Sequence, residues 1–375
     1  MNARRKLGTI LVLLAAGSAG AVYAQATAAP AASGRLIDRT LSVPALRGNR
    51  LGDPSDQPVS IYLPPSYDRR PARRYPTLYL LHGFGGRPEE WTNGYQGLNL
   101  QRTMDSLTNL GLIHEMIVVV PNGKNAYLGS FYTNSTVAGN WEDYLVRDLV
   151  GFMDSRYRTL RQAESRGIAG HSMGGYGAIM LGMKHPDVFG ALYALSPCCV
   201  DLVGDLASTN PAWPKALAVR SRDGLPKDPE TFDQFYTNVF VALGAAFSPD
   251  PAHGPMFVSF PYRMEGGKLV PNAAAMSAWR AKLPLPLSAA STENLCRLRG
   301  IALDFGEKEE FTHIRIATTE LSQALAAKGI PHSFEVHPNG THGSHIRERA
   351  SSNTYCRSSP ASWWESGTEG TGSRA

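Results

Sequence analysis

An α/β fold, a mostly parallel sheet with helices on both faces, is what this 375-residue sequence predicts. Three observations carry the prediction. Short β-rich runs alternate with helix-like stretches along roughly 250 residues. The runs stop at turn residues, as 59–63 does at Pro64 and Pro65 and 116–120 does at Pro121, Asn122 and Gly123. The composition, 43% hydrophobic and 18% charged, supplies a full core and excludes collagen-like, coiled-coil and wholly disordered chains.

The elements follow in order. Residues 1–24 have the form of a secretory signal: Arg4, Arg5 and Lys6, then an apolar stretch over 7–22, then Val22, Tyr23 and Ala24, which predict cleavage before Gln25. An uncleaved anchor is the alternative. Without these residues the formal charge falls from +5 to +2. No Lys/Arg run with interleaved aromatics remains, which excludes nucleic acid as a partner. No later stretch is apolar enough to span a bilayer, so the mature chain is expected to be secreted or periplasmic, without stable membrane insertion. Residues 25–33 read as a flexible lead-in and 34–349 as one α/β domain. Strands are expected at 59–63, 77–81, 116–120, 166–169, 191–195, 301–305 and 333–336. Trp141, Leu145, Leu149 and Phe152 recur at helical spacing, as do Ile314, Ala317, Leu321 and Leu325.

Residues 201–290 break the rhythm. They hold 11 of the 26 prolines and no core strand, and they far exceed an ordinary connection. A cap over the site is expected here, with one helix at 231–247 and an aromatic stretch of Phe257, Phe260 and Tyr262. After Arg349 the chain is rich in Ser, Gly and Thr and lacks helical periodicity, so 350–375 reads as a disordered tail. Codons for 354–363, shifted by one nucleotide, can read Val-Leu-Pro-Phe-Phe-Ala-Ser-Ile-Trp, a plausible closing segment, and a frameshift is one reading of the tail. Of the four cysteines, Cys198 or Cys199 could bridge to Cys296; buried free thiols are the alternative, and Cys356 lies in the tail.

The chemistry concentrates after strands, where parallel sheets bind ligands. Gly170-His171-Ser172-Met173-Gly174-Gly175 follows an apolar run and opens an Ala/Met/Leu-rich helix. That is the strand–turn–helix setting of a nucleophile elbow, with Ser172 at the helix N-terminus, where the dipole favours developing negative charge. Two N–H groups must meet the carbonyl oxygen. Met173 supplies one. The loop His82-Gly83-Phe84-Gly85-Gly86 supplies the other, with Phe84 first and Gly85 second. His82 reads as a structural histidine. A serine at neutral pH also needs a base and an orienting acid, in the chain order Ser, acid, His. Gly306-Glu307-Lys308-Glu309-Glu310 follows one late strand and Pro338-Asn339-Gly340-Thr341-His342-Gly343 follows the last. His342 is the base candidate, ahead of His337 and His345. These histidines lack the carboxylate spacing of a metalloenzyme, so no metal or other cofactor is expected.

Together, Leu-Leu-His-Gly-Phe-Gly-Gly, Gly-His-Ser-Met-Gly-Gly, Asp-Phe-Gly-Glu-Lys-Glu and Gly-Thr-His-Gly resemble an esterase family of α/β-hydrolases. It includes S-formylglutathione hydrolases, feruloyl and acetyl-xylan esterases, enterobactin-type esterases and mycolyltransferases. The resemblance runs from about residue 40 to about 347 and is weakest over 201–290; Lys184-His185-Pro186-Asp187-Val188-Phe189 shares it. It implies the α/β-hydrolase fold, Ser172 as nucleophile and His342 as base. The family's acid is usually Asp three residues after the loop glycine; here that place is Glu309, with Glu310 and Asp304 as alternatives. The expected function is a serine carboxylic-ester hydrolase acting on a small-molecule or carbohydrate-linked ester. Export disfavours cytosolic glutathione thioesters, and the cap aromatics suggest contact with an aryl or sugar ring. An acyltransferase of mycolyltransferase type, or a binding protein on an esterase scaffold, are the other readings. The oligomeric state is not legible.

Overall fold

The computed structural model describes residues 32–94, 98–227 and 229–344. The expected signal segment, nearly all of the expected lead-in, His345, Cys356 and the expected tail lie outside the described residues. Eight strands form one sheet: β1 (Arg35–Ser42), β2 (Asp56–Leu63), β3 (Thr77–Leu81), β4 (Ile117–Pro121), β5 (Arg166–His171), β6 (Ala191–Leu195), β7 (Gly300–Gly306) and β8 (Ser333–His337). Their order is β1-β2-β4-β3-β5-β6-β7-β8. β2 runs antiparallel to both its neighbours, and the other pairings are parallel. Seven strands match the expected runs within three residues at either end. β1 was not anticipated. It is an edge strand whose residues are half-buried or exposed, so no apolar run marks it.

The continuous apolar runs have a direct cause. Ile117 and Val119 of β4 enter one apolar cluster, and Val118 and Val120 enter a second. A strand buried on both faces cannot alternate with polar residues. Helix α1 (Leu100–Asn109) places Leu100 and Met104 in the second cluster. The first receives α2 (Val150–Arg156), α3 (Met173–Lys184) and α7 (Thr312–Ala327), the last through the predicted Ile314, Ala317, Leu321 and Leu325. The helical spacing from Trp141 is also realised, but through a π-helical segment at Tyr144–Leu149.

Between β6 and β7 the chain forms α4 (Ala212–Ala218), α5 (Phe232–Phe247), an exposed hairpin of Tyr262–Glu265 and Lys268–Pro271, and α6 (Ala273–Arg280). Thr231 caps α5, its hydroxyl accepting from the Gln234 N–H at 3.3 Å. From Tyr236 to Phe247 this helix is buried and shares the first cluster, so it is a structural member of the domain. The aromatic stretch sits elsewhere than expected. Phe260 and Tyr262 pack on Trp213, which stacks on Phe240 at 3.6 Å, and Phe257 lies under the Arg50 guanidinium. They fasten the insertion instead of offering it to a ligand.

The bridge to Cys296 is also corrected. Cys198, Cys199 and Cys296 are free, the first two buried and the third exposed. No described helix is long and apolar enough to cross a membrane.

Candidate active site

The turn from β5 into α3 is steric necessity made local. Ser172 has φ 56° and ψ −114°, a region costly for a residue with a Cβ. The backbone around it leaves no room for side chains. A Cβ on Gly170 would lie 2.4 Å from the Gly174 backbone, and one on Gly174 would lie 2.3 Å from the Leu81 carbonyl oxygen. Hydrogen bonds hold the strained residue. The Ser172 N–H donates to Leu195 O at 3.0 Å, and its own carbonyl accepts from Tyr176 and Cys198 N–H groups at 3.0 and 3.1 Å.

The loop after β3 sorts its N–H groups. Gly85 donates to Leu128 O at 2.9 Å and Gly86 to Gly83 O at 3.1 Å. Among the described residues no acceptor takes the Phe84 N–H, which separates Phe84 from the second choice, Gly85. Met173, first residue of α3, has no intrahelical acceptor for its N–H either. His82 braces this loop: its Nε2 accepts from the Gly123 N–H at 2.8 Å, and its Nδ1–H donates to Gly83 O at 2.8 Å. Burial drives its pKa down to about 4, so the ring is neutral, as acceptance by Nε2 requires.

The loops after β7 and β8 are stitched together. Glu307 N–H donates to His337 O and Lys308 N–H to Gly340 O, and a Cβ on Gly306 would lie 2.2 Å from Gly340 O. This closure aims one carboxylate at His342. Glu309 Oε2 accepts from His342 Nδ1 at 2.9 Å, and Oε1 from the Phe311 N–H at 3.2 Å. Burial alone would raise the Glu309 pKa, but the His342 hydrogen bond and charge outweigh it and hold the carboxyl below its ordinary value. The other two acids are occupied differently. Glu310 Oε2 accepts the His342 backbone N–H at 2.8 Å. Asp304, wholly buried under the sheet end, binds Tyr193 and His337. His337 is thereby drawn away from His342.

One supporting residue escaped the sequence reading. His171 Nε2 donates to the His342 carbonyl at 2.6 Å, and the two rings lie 4.4 Å apart. The residue before Ser172 thus carries the His342 loop. Phe311 closes the other side of His342, edge-on at 4.7 Å. Only the GHSMGG context marked His171, and its partner is a main-chain atom that no motif reveals.

Ser172 opens on a cleft of about 330 Å³, its mouth included. Phe84, Phe131, Phe235, Tyr236 and Phe311 give its wall five aromatic rings. Phe235, Tyr236 and Val239 come from α5, so the insertion does reach the site, through a different set of aromatics from those expected. Among the described residues no group of three His, Cys, Asp or Glu is placed to hold a metal ion.

Comparison with known proteins bears on the fold and the family. The chain is 29% identical over 247 residues to an esterase of Mycobacterium tuberculosis, covering 58% of this chain and 50% of that protein. It is 32% identical over 143 residues to an endo-1,4-beta-xylanase/feruloyl esterase of Xylanibacter ruminicola, covering 36% of this chain and 18% of the relative. The chain therefore spans half or less of the length of these relatives. Among solved structures it resembles a ferulic acid esterase (TM-score 0.56, 21% identity, 85% of this chain and 95% of that one). It also resembles an S-formylglutathione hydrolase from Agrobacterium tumefaciens (TM-score 0.55, 15% identity, 87% and 93%). At these identities the likeness shows the α/β-hydrolase fold. The family model described as "Putative esterase" matches residues 51–349, and the chain belongs to that esterase family.

Proposed function

We propose that this chain is an exported serine carboxylic-ester hydrolase that works through an acyl-enzyme on Ser172. The observation that carries the reading is the bond from His342 to the buried Glu309, reached through a loop that His171 ties to the nucleophile turn. With Nδ1 held by Glu309, His342 presents Nε2 as the base. Ser172 Oγ attacks the ester carbonyl as His342 takes its proton. The Phe84 and Met173 N–H groups receive the oxyanion; one such donor is typically worth about 3 kcal/mol. The tetrahedral intermediate expels the alcohol, which leaves with the proton from His342. Water then enters by the reverse sequence and frees the acid. No step calls on a cofactor.

The aromatic wall of the cleft favours slender acyl groups with an apolar or aryl face, and the alcohol side is taken as small or carbohydrate-linked. The feruloyl-esterase name of one relative fits that class. The basic, apolar leader of residues 1–24 supports export. The test is hydrolysis of p-nitrophenyl acetate and butyrate and of methyl ferulate, beside Ser172→Ala. Loss of the nucleophile should lower kcat by about a thousandfold or more, and a fluorophosphonate should label the wild type alone. Equal turnover by Ser172→Ala would refute the assignment.

A further inference from the structure

A second relay lies in the wall of the same cleft. Cys198 and His313 line it together with Ser172. Four separate elements bring the parts together: the loop after β6 (Cys198), the turn at Gly204–Leu206 (Asp205), α5 (Tyr236) and the start of α7 (His313). Asp205 accepts three hydrogen bonds there. Its Oδ1 takes the His313 N–H at 2.9 Å and His313 Nδ1 at 2.5 Å, and its Oδ2 takes the Thr312 N–H at 3.1 Å. The Tyr236 hydroxyl stands 3.5 Å from the same ring nitrogen. His313 is only 4% exposed, and among the described residues its Nε2 has no hydrogen-bond partner. The Cys198 thiol shares the cleft wall with this imidazole.

A structural histidine would have both nitrogens satisfied by ordinary partners. This one has a carboxylate on Nδ1 and an unpaired Nε2 in the same cleft wall as a thiol, the set of groups that activates a nucleophilic sulfur. We propose that Cys198, backed by His313 and Asp205, is a covalent modification site for small uncharged electrophiles that enter the Ser172 cleft, and that the adduct blocks ester turnover. The inference rests on the reading of this cleft as the acyl site of Ser172.

The charge balance agrees with the geometry. Burial opposes the charged ring, yet Asp205 and Cys198 together raise the His313 pKa to about 9. Burial would raise the Cys198 thiol too, but the neighbouring Cys199 and His313 carry it below the ordinary thiol value. Cys199 is driven the opposite way, by burial and by its neighbour. One thiol of the adjacent pair is therefore reactive and the other inert. With methyl methanethiosulfonate the Cys198 thiolate attacks the sulfenyl sulfur. An S–S bond forms as the S–S(O₂) bond breaks, and methanesulfinate leaves with the electron pair. The proton of the thiol rests on His313.

The experiment treats the folded chain with methyl methanethiosulfonate at pH 6 and reads each cysteine by peptide mass, so labelling needs no turnover. Cys198 should react at least tenfold faster than Cys199, and also faster than the exposed Cys296. His313→Gln should slow Cys198 by tenfold or more. Occupying Ser172 with a fluorophosphonate should do the same in the unmutated protein, which decides the matter if His313→Gln does not fold. Ester turnover should fall in step with Cys198 labelling and return with dithiothreitol, while Cys198→Ala keeps its own untreated rate. Labelling of Cys198 no faster than Cys199, or unaffected by the fluorophosphonate, or complete without loss of turnover, would overturn the proposal. A chain that labels at Cys198 but neither turns over esters nor takes the fluorophosphonate would instead count against the esterase reading.

Discussion

Replacing Glu309 by Gln tests the site most sharply, because three carboxylates compete for one role. Glu309 Oε2 lies 2.9 Å from His342 Nδ1, and its side chain has no exposed surface. Charge centres at that contact are about 4 Å apart, and at an effective dielectric of about 20 the attraction to an imidazolium is roughly 4 kcal/mol. At about 1.4 kcal/mol per tenfold, that predicts a loss near a thousandfold in kcat. The tautomer adds to it. The Gln carbonyl oxygen will favour the Phe311 N–H, which Glu309 Oε1 accepts at 3.2 Å. The amide NH₂ then faces Nδ1 and drives the ring proton to Nε2, where it blocks the transfer from Ser172. Glu310→Gln keeps an oxygen for the His342 backbone N–H and should cost less than about tenfold. Asp304→Asn disturbs Tyr193 and His337, so it should lower stability by about 1–3 kcal/mol while kcat stays within about tenfold. The assay is initial-rate hydrolysis of p-nitrophenyl acetate, with the melting curve of each variant as a folding control. Glu309→Gln within tenfold of wild type, or a thousandfold loss in folded Glu310→Gln or Asp304→Asn, would refute the assignment.

Three further outcomes follow from the packing and charge of the domain. Gly174→Ala puts a Cβ 2.3 Å from the Leu81 carbonyl oxygen, backbone against backbone, so it should lower stability by about 3 kcal/mol or more in chemical denaturation, with fluorophosphonate labelling lost. Phe235→Ala removes a ring from the cleft wall and should raise the octanoate-to-acetate ratio of kcat/KM by about tenfold, read with p-nitrophenyl esters. Glu142 ties the end of α3 to the segment at Trp141–Asp143 through Lys184 and His185. Burial would raise its pKa, but those two hydrogen bonds bring it down to about 2. A depressed folded value means stability fully present above about 4.5 and lost as pH falls toward about 2. Glu142→Gln should therefore cost roughly 2 kcal/mol at pH 7 and flatten the melting temperature across that acid window.

What the sequence disclosed, and what it withheld, divides along a physical line. The central strands were legible because burial on both faces demands unbroken apolar runs such as Ile117–Pro121, and the elbow was legible because a crowded turn demands glycine at 170 and 174. Both are constraints that a single residue satisfies in place. Edge strand β1 carries no such constraint and was missed. For the acid, the resemblance pointed to Glu309 but left Glu310 and Asp304 as alternatives, because the choice depends on how the loops after β7 and β8 close on each other. Contact of Gly306 with Gly340 O turns Glu309 inward and leaves Glu310 for the backbone of His342. The insertion shows the same limit from the other side. Phe257, Phe260 and Tyr262 were conspicuous by density, yet they serve Trp213 and Arg50, whereas Phe235 and Tyr236 reach Ser172 from the helix that was itself foreseen. Which aromatic faces a ligand is settled by the rotation of α5 against the core, a property of the packed pair. His171 and the Asp205–His313–Cys198 relay belong to that second kind, since their partners lie more than a hundred residues away in the chain. Residue types that satisfy a local geometric need can be read from sequence, while those that answer to a distant partner require the fold.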